Sequence, residues 1–370
     1  MPSTDAGTSA GSRAPGPKPP EARAGGRALG PNLLELTNRF ARARRRGLLP
    51  SGAAILLTAL LLAAGPGRPD QAGAGIWMFD FRDTFYDVEF LKGREAVIVG
   101  DRGHILVSHE KYPNLWALHE QPSRELLTCV SFVDVRNGWA AGHGGIIIHS
   151  ADGGRSWKVQ RPPDTDNQPL FDIQFVSEKI GFACGASDSF LKTEDGGASW
   201  RELPPGEEVT YNSLGFLDAQ SGYLVGEFGT VLSTADGGTS WQKLDLADYQ
   251  GSLFGVQLLS ARTLLVFGIA GRLMRSDDGG GQWTQIPSGT RSSLFRAAAH
   301  GDEVVVVGAS GAILYSRDGG RSFQLVNEKE FTTFAGVSAH PDGGFLCVGE
   351  RGSIYRFHRP NTDRVIGSPD

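Results

Sequence analysis

The stretch Ser150-Ala-Asp-Gly-Gly-Arg-Ser-Trp157 is one of five near-copies of a short turn that runs from Ser or Thr through Asp-Gly-Gly to an aromatic residue. The other copies are TEDGGASW at 193–200, TADGGTSW at 234–241, SDDGGGQW at 276–283 and SRDGGRSF at 316–323. Successive copies have their aspartates 43, 41, 42 and 40 residues apart. A period near 40 residues in a chain of short strands indicates a β-propeller, because one blade cannot bury its own apolar face and must stack on its neighbours.

We call this turn the Asp box and predict that it is structural. The carboxylate can accept backbone N–H groups across the turn, and the glycines supply the backbone freedom that the turn requires. The terminal ring is expected to lie between two blades, where it buries a large apolar area. The residues predicted to have this structural role are Asp152, Trp157, Asp195, Trp200, Asp236, Trp241, Asp278, Trp283, Asp318 and Phe323. No catalytic residue is predicted among them.

A second motif precedes each box: two apolar strands joined by a tight hairpin with two glycines. It occurs seven times, at 99–105, 141–147, 184–190, 225–231, 267–273, 307–313 and 348–354. In the third copy Asp188 replaces the second glycine, and Asp tolerates the left-handed backbone region. An alternating strand precedes each hairpin, at 85–91, 127–133, 171–176, 214–217, 254–259, 295–300 and 334–339. The sequence therefore predicts an all-β, seven-bladed propeller over residues 76–358.

The first and last repeats depart from the pattern. The box of blade one is degenerate at 108–116, and the last repeat runs out after 354–357 without an outer strand. The strand-like segment 76–81 remains unassigned, and we expect it to supply the missing strand of blade seven and close the ring. Residues 359–370 are then a C-terminal tail.

The part of the chain before the propeller has the pattern of an export signal. Residues 1–46 are predicted to be a disordered, Arg-rich cytoplasmic leader, and 66–75 a linker. Between them, 47–65 form either a signal-peptide core or a single transmembrane anchor, cleaved or retained. Basic residues before an apolar run place the propeller outside the cytoplasm. Arg45-Arg46 is compatible with a twin-arginine signal or with a plain basic flank.

The charge of the propeller argues against a nucleic-acid partner. Residues 75–370 carry 26 Lys and Arg against 37 Asp and Glu, a net charge of −11, whereas phosphate binding depends on basic contacts. The sequence contains no metal-ligand spacing, no phosphate loop and no dinucleotide fingerprint, so neither a metal nor another cofactor is predicted. Its three cysteines, Cys129, Cys184 and Cys347, stand in apolar strands and are expected to be small buried residues.

The loops are the expected place of binding. In a propeller the Gly hairpins share one face with the loops that link successive blades, and loops on a rigid scaffold commonly carry function. The candidate client-binding residues on this face are Arg102, His143, Asp188, Glu227, Phe228 and Arg351. Taken singly, each also fits an ordinary exposed loop residue.

The stretch Asn137-Gly-Trp-Ala-Ala-Gly-His-Gly-Gly-Ile-Ile-Ile-His-Ser-Ala-Asp-Gly-Gly-Arg-Ser-Trp157, together with the sevenfold repeat, resembles the photosystem II stability/assembly factor family. The resemblance covers about residues 76–358. It implies a seven-bladed Asp-box propeller in the thylakoid lumen or the periplasm. It also implies a non-enzymatic assembly chaperone whose client is an integral-membrane or envelope protein, a photosystem II reaction-centre subunit in a photosynthetic organism.

The alternative is a carbohydrate-binding or glycoside-hydrolase-type propeller, because Asp boxes also occur in sialidases. Two carboxylates flanking a sugar would be needed, and the hairpins offer Asp101, Asp188, Glu227 and Glu350. The arginine cluster and the Phe-Arg-Ile-Pro motif of sialidases are missing from the sequence, because Arg82 stands in Phe-Arg-Asp. The chain is therefore predicted not to be an enzyme.

Overall fold

The computed structural model describes residues 83–91, 93–110, 112–246, 249–327, 332–358 and 361–365. These residues form seven antiparallel sheets of four strands each, so the predicted all-β, seven-bladed propeller is confirmed. Within the described ranges no helix has the length and hydropathy that a membrane span requires. The predicted leader, its apolar segment and the linker before the propeller lie outside the described residues.

Each blade uses four consecutive strands, which follow one another from the inner to the outer edge of the sheet. Blades one to three are β1 Phe85–Phe90, β2 Ala96–Gly100, β3 Ile105–His109, β4 Tyr112–Leu118; β5 Leu127–Phe132, β6 Gly138–Gly142, β7 Ile147–Ser150, β8 Lys158–Arg161; and β9 Leu170–Phe175, β10 Gly181–Gly185, β11 Phe190–Thr193, β12 Arg201–Glu202. Blades four and five are β13 Tyr211–Phe216, β14 Gly222–Gly226, β15 Val231–Thr234, β16 Gln242–Lys243; and β17 Leu253–Leu258, β18 Leu264–Gly268, β19 Leu273–Ser276, β20 Thr284–Gln285. Blades six and seven are β21 Leu294–His300, β22 Glu303–Gly308, β23 Ile313–Ser316, β24 Gln324–Asn327; and β25 Phe334–Ala339, β26 Phe345–Gly349, β27 Ile354–His358, β28 Asn361–Val365.

The apolar core lies between the blades. β2 is buried along its whole length because both of its faces are covered, and the second strands of the other blades follow the same pattern, except that Glu303 at the start of β22 is partly exposed. Between blades one and two, Val97 and Val107 belong to the same buried cluster as Phe132 and Trp157. Stacking of this kind removes apolar area from water on both faces of a blade, which no isolated blade could do.

The inner strands are also joined by polar contacts from blade to blade. The backbone N–H of Val130 donates to Oδ2 of Asp87 over 3.0 Å, and the N–H of Phe132 donates to Oε2 of Glu89 over 2.8 Å. Equivalent contacts join Phe175 to Ser131, Leu214 to Asp172, Phe216 to Gln174 and Phe90 to Ser338. These side chains satisfy N–H groups that the inner edge of each sheet would otherwise leave unpaired.

The Asp boxes connect the third and fourth strands of blades two to six. In the box of blade three, Oδ1 of Asp195 accepts the N–H of Ser199 over 2.9 Å, and Oδ2 accepts the Ser199 hydroxyl over 2.6 Å. Thr193 completes the turn, because its hydroxyl oxygen accepts the N–H of Gly197 over 2.8 Å. The hydroxyl of Ser199 is the largest cause that lowers the pKa of Asp195, to about 2. Trp157 is buried at the seam between blades one and two, whereas the other four box aromatics are partly buried.

The last blade differs from the prediction. β28 pairs with β27 along its length, with His358 opposite Asn361, so blade seven has an outer strand of its own. The expectation that 76–81 supply this strand is wrong, because β28 occupies the position beside β27. Residues 76–81 themselves lie outside the described residues. A hairpin between neighbours in sequence brings β28 to the edge, and β28 was missed because it carries no Asp box. The ring closes instead by packing, since Leu346 and Ile354 of blade seven share a buried cluster with Phe85 of blade one.

Candidate functional site

The Gly hairpins and the linkers between blades form one surface, which we call the hairpin face. The N–H of His143 donates to the carbonyl of Leu126 over 2.9 Å, in the linker that enters blade two. The N–H of Gly229 donates to Gly251 over 2.9 Å, in the linker from blade four to blade five. Similar bonds hold the hairpins of the other blades. The linkers are thereby fixed to the rigid disc.

The tip of each hairpin has a left-handed backbone conformation. The tip residues are Arg102, Gly144, Ser187, Phe228, Ala270, Ser310 and Arg351, with φ between 53° and 63°. Asp188 follows the tip of blade three with φ of 62°, as expected for the residue that replaces the second glycine. Because a side chain in this region costs about 1–2 kcal/mol, the six tips other than Gly144 are locally strained. The geometry presents the tip side chains outward at equivalent positions.

Three hairpin carboxylates bind the backbone at the start of their own blade. Asp101 accepts the N–H of Thr84 over 2.7 Å, Glu227 that of Thr210 over 3.1 Å, and Glu350 that of Thr333 over 3.2 Å. The three acids occupy the same position of the repeat, directly before the tip. Each therefore fixes its hairpin to the inner strand.

Asp188 binds the start of the next blade rather than that of its own blade. Its carboxylate accepts the N–H of Gly206 over 2.9 Å and the hydroxyl of Tyr211 over 2.8 Å. Burial, and then the bond to Asp188, raises the pKa of Tyr211 above its usual range. Asp188 thus holds the linker into blade four.

The two arginine tips lie on neighbouring blades and are joined through one residue. Arg102 forms an ion pair with the buried carboxylate of Asp83. The N–H of Gly352, next to Arg351, donates to the backbone carbonyl of Asp83 over 2.8 Å. Nδ1 of His104 lies 3.3 Å from the same carboxylate, while burial lowers the pKa of this histidine. Arg351 is exposed, and so is His143 on blade two.

Across the ring, two neighbouring hairpins expose apolar side chains. Phe228 on blade four is 65% exposed, and Ile269 on blade five is 44% exposed. Ile269 was not among the predicted site residues. The sequence signal for it was the residue type directly after the first hairpin glycine. This residue is isoleucine in blade five, whereas the other blades carry Asp, His, Ala or Glu there.

The central channel contains a charged cluster that the sequence analysis did not identify. It has a volume of about 640 Å³ and is lined by the seven inner strands. Arg296 of blade six reaches Asp172 of blade three over 2.9 Å and lies 3.9 Å from Asp87 of blade one. Burial is the main cause that raises the pKa of Asp87 to about 6, and Arg296 opposes it.

The cluster stands at one position of the repeat. That position is the third residue of each inner strand. Its occupants in the seven blades are Asp87, Cys129, Asp172, Ser213, Gly255, Arg296 and Gly336. Three charges among four small residues leave room for one guanidinium to cross the channel. Aligning the repeats would have exposed this pattern.

Other chemistry is limited in the part of the chain that the structure describes. No group of three or more His, Cys, Asp or Glu there could hold a metal ion. All three cysteines are buried and unpaired with each other, as predicted, and burial raises the pKa of Cys347 to about 12. Their thiols are therefore poor nucleophiles.

The sequence over residues 205–366 matches the family described as Photosynthesis system II assembly factor YCF48. Among solved structures, one described as YCF48 bound to D1 peptide is 20% identical, with a TM-score of 0.62 over 75% of this chain and 92% of that one. YCF48 from Cyanidioschyzon merolae is 15% identical, with a TM-score of 0.62 over 77% of this chain and 98% of its own.

Glycoside hydrolases share the fold as well. The GH74 xyloglucanase from Xanthomonas campestris is 12% identical, with a TM-score of 0.59, and the match covers 75% of this chain and 52% of the enzyme. A search of the curated proteins found no match to the sequence. At these identities the structures show the fold alone, and the family match adds a relation in sequence over the later blades. The chain is thus a seven-bladed propeller whose residues 205–366 are similar in sequence to the photosystem II assembly factor family.

Proposed function

We propose that the protein is an exported, non-enzymatic scaffold that binds a membrane-protein client through its hairpin face and assists the assembly or stability of a membrane complex. The observation that carries this proposal is the match to an assembly-factor family over residues 205–366, which include four of the hairpins. The YCF48 structure bound to a D1 peptide supports a reaction-centre subunit as the client in a photosynthetic organism.

The geometry of the face supports binding rather than catalysis. Asp101, Glu227 and Glu350 each accept a backbone N–H, so their carboxylates already have a structural partner. In the channel, Asp172 is bound to Arg296. A glycosidase needs two carboxylates free to flank a sugar, one as acid and one as base or nucleophile. The GH74 likeness is one of fold, and we retain a carbohydrate-binding or hydrolytic propeller only as the alternative.

The leader would bring the propeller to its client. Residues 47–65 would direct the propeller across the membrane, and would anchor it there if they are retained. The hairpin face would then meet clients on the periplasmic or lumenal side.

The test is affinity purification of the full chain from native membranes, with identification of the proteins bound. We expect one integral-membrane subunit, lost when Arg102 and Arg351 are both changed to Glu. The matched control is Arg317→Glu. Arg317 belongs to the Asp box of blade six, and its guanidinium lies over the ring of Tyr315. Turnover of a glycan, abolished by Glu227→Gln, would favour the hydrolase instead.

A further inference from the structure

Phe228 is exposed and strained at the same time. Its side chain is 65% exposed, and its φ of 55° lies in the left-handed region, where a bulky residue is an outlier. Glycine takes this position in blade two without that strain, as Gly144 does with φ of 63°. Neither packing nor backbone geometry therefore favours phenylalanine here. A strained, exposed aromatic residue is the kind of feature that functional surfaces keep.

A second apolar side chain stands on the next hairpin. The hairpins of Phe228 and Ile269 bind the same linker: Gly229 N–H donates to Gly251, and Ile269 N–H donates to Ser252 over 3.0 Å. Of the large apolar side chains exposed among the described residues, these two lie on the hairpin face; Leu115, Val135, Val159 and Leu217 lie on outer strands or on the turns of the opposite face. Phe228 and Ile269 are therefore exposed on two neighbouring hairpins that hold the same linker, and we call them the apolar pair.

The surroundings of this pair are acidic. Glu208 is exposed and Glu207 partly exposed in the linker into blade four, which Glu227 also binds. Asp245 is exposed where the next linker begins. Lys243 is paired with Glu207, and Arg272 is engaged over the ring of Tyr249 at 4.5 Å, so they offset this charge only in part. Arg291 is exposed in the linker on the far side of the Ile269 hairpin, so the acidic part of the rim is the side that faces blade four. The arginine tips stand on the opposite side of the ring, on blades seven and one.

We propose that Phe228 and Ile269 are the anchor for an apolar segment of the client that is flanked by Lys or Arg. Large apolar side chains at the centre of a polar rim are the usual hot spots of protein interfaces. The acidic rim favours basic flanks and disfavours acidic ones. This inference rests on the proposed function and adds to it the chemistry of the partner.

The test measures binding of synthetic peptides to the purified full chain by fluorescence anisotropy. One peptide has a Leu-Phe core flanked by lysines, a second has the same core flanked by glutamates, and a third has lysine flanks around a serine core. We expect only the first to bind well. Phe228→Gly should weaken it about tenfold or more, as loss of a hot-spot aromatic does. Glu208→Lys should weaken it as well, and added salt should reduce the effect of that charge change.

The variant Phe228→Gly separates a binding role from a structural one. Glycine suits the left-handed tip, so the melting temperature should stay the same or rise while affinity falls. Val135→Ser removes a residue that is 48% exposed on the opposite face and should change neither. Equal binding of all three peptides, binding of none, or unchanged affinity of Phe228→Gly would each overturn the inference. If the full chain captures its membrane subunit equally well with Phe228→Gly, this inference fails while the proposed function stands.

Discussion

Nη1 of Arg296 lies 2.9 Å from Oδ2 of Asp172, so a side chain of blade six is bound to blade three across the central channel. Asp172 also accepts the Ser213 hydroxyl over 2.8 Å and the N–H of Leu214 over 3.0 Å. One carboxylate thereby links blades three, four and six. The Asp172 carboxylate is 9% exposed and the Arg296 side chain 19%, so solvent screens this largely buried contact less than it would a surface pair.

Removing the cation should be costly. Arg296→Ala leaves Asp87 and Asp172 facing each other in the channel, and breaking a buried pair in this way costs about 3–5 kcal/mol. The free energy of unfolding from urea titration at pH 7 measures this loss. Arg351→Ala, which removes an exposed arginine, should change it by less than about 0.5 kcal/mol. A loss as small for Arg296→Ala would show that the channel cluster does not stabilise the ring.

Asp87 should make stability depend on pH. Its pKa is about 6 in the folded protein and 3.8 as the ordinary value, so the folded state binds the proton more tightly than the unfolded state does. The resulting stabilisation is complete below pH 4 and is lost as the pH rises to 6, by about 3 kcal/mol in all. In Asp87→Asn that loss should vanish. The free energy of unfolding of the variant, measured by urea titration, should therefore rise relative to that of the native protein between pH 4 and 7. Asp245→Asn is the exposed control, and a difference independent of pH for Asp87→Asn would contradict the assignment.

The box aromatics should stabilise the seams in proportion to their burial. Trp157 is 7% exposed, and its Nε1 donates to the carbonyl of Gly154 over 2.9 Å. Trp157→Ala should therefore lower the free energy of unfolding by about 3–5 kcal/mol. Val159→Ala, slightly further along the chain but 40% exposed, should cost under about 1 kcal/mol. Similar losses for both would mean that the seam does not depend on the indole ring.

The edge of blade seven should depend on β28. Truncation after His358 removes this strand and leaves β27 as a bare edge, which favours pairing with another chain. We expect a lower melting temperature and oligomers in light scattering. Truncation after Val365 retains the strand and serves as the control. A shortened chain that stays monomeric with unchanged melting would show that β28 is dispensable.

Export is tested by a reporter fused after Asp370. The arginines before residue 47 are expected to remain in the cytoplasm, so a reporter that works only after export should be active. Replacing these arginines by glutamate should abolish that activity. Activity of a cytoplasm-specific reporter in the unaltered fusion would refute the proposed location.

The fold was predictable because local chemistry repeats at a fixed period. The Asp boxes and two-glycine hairpins are turns whose residues define their own geometry, and their spacing alone counts the blades. The failure at blade seven has the same cause, since β28 carries neither signal. Arg296 and its two aspartates were missed because their meeting depends on closing the ring, which no local pattern reports. On the hairpin face, Phe228 could be selected as a candidate from sequence, but its exposure and backbone strain could not.

The left-handed tips make the hairpin face a set of seven interchangeable positions. The backbone at each tip is held by glycine, by linker hydrogen bonds and in three blades by a carboxylate, none of which depends on the tip side chain itself. Arg, Gly, Ser, Phe and Ala already occupy these positions on one chain. New recognition could therefore evolve, or be engineered, one tip at a time while the disc beneath stays the same.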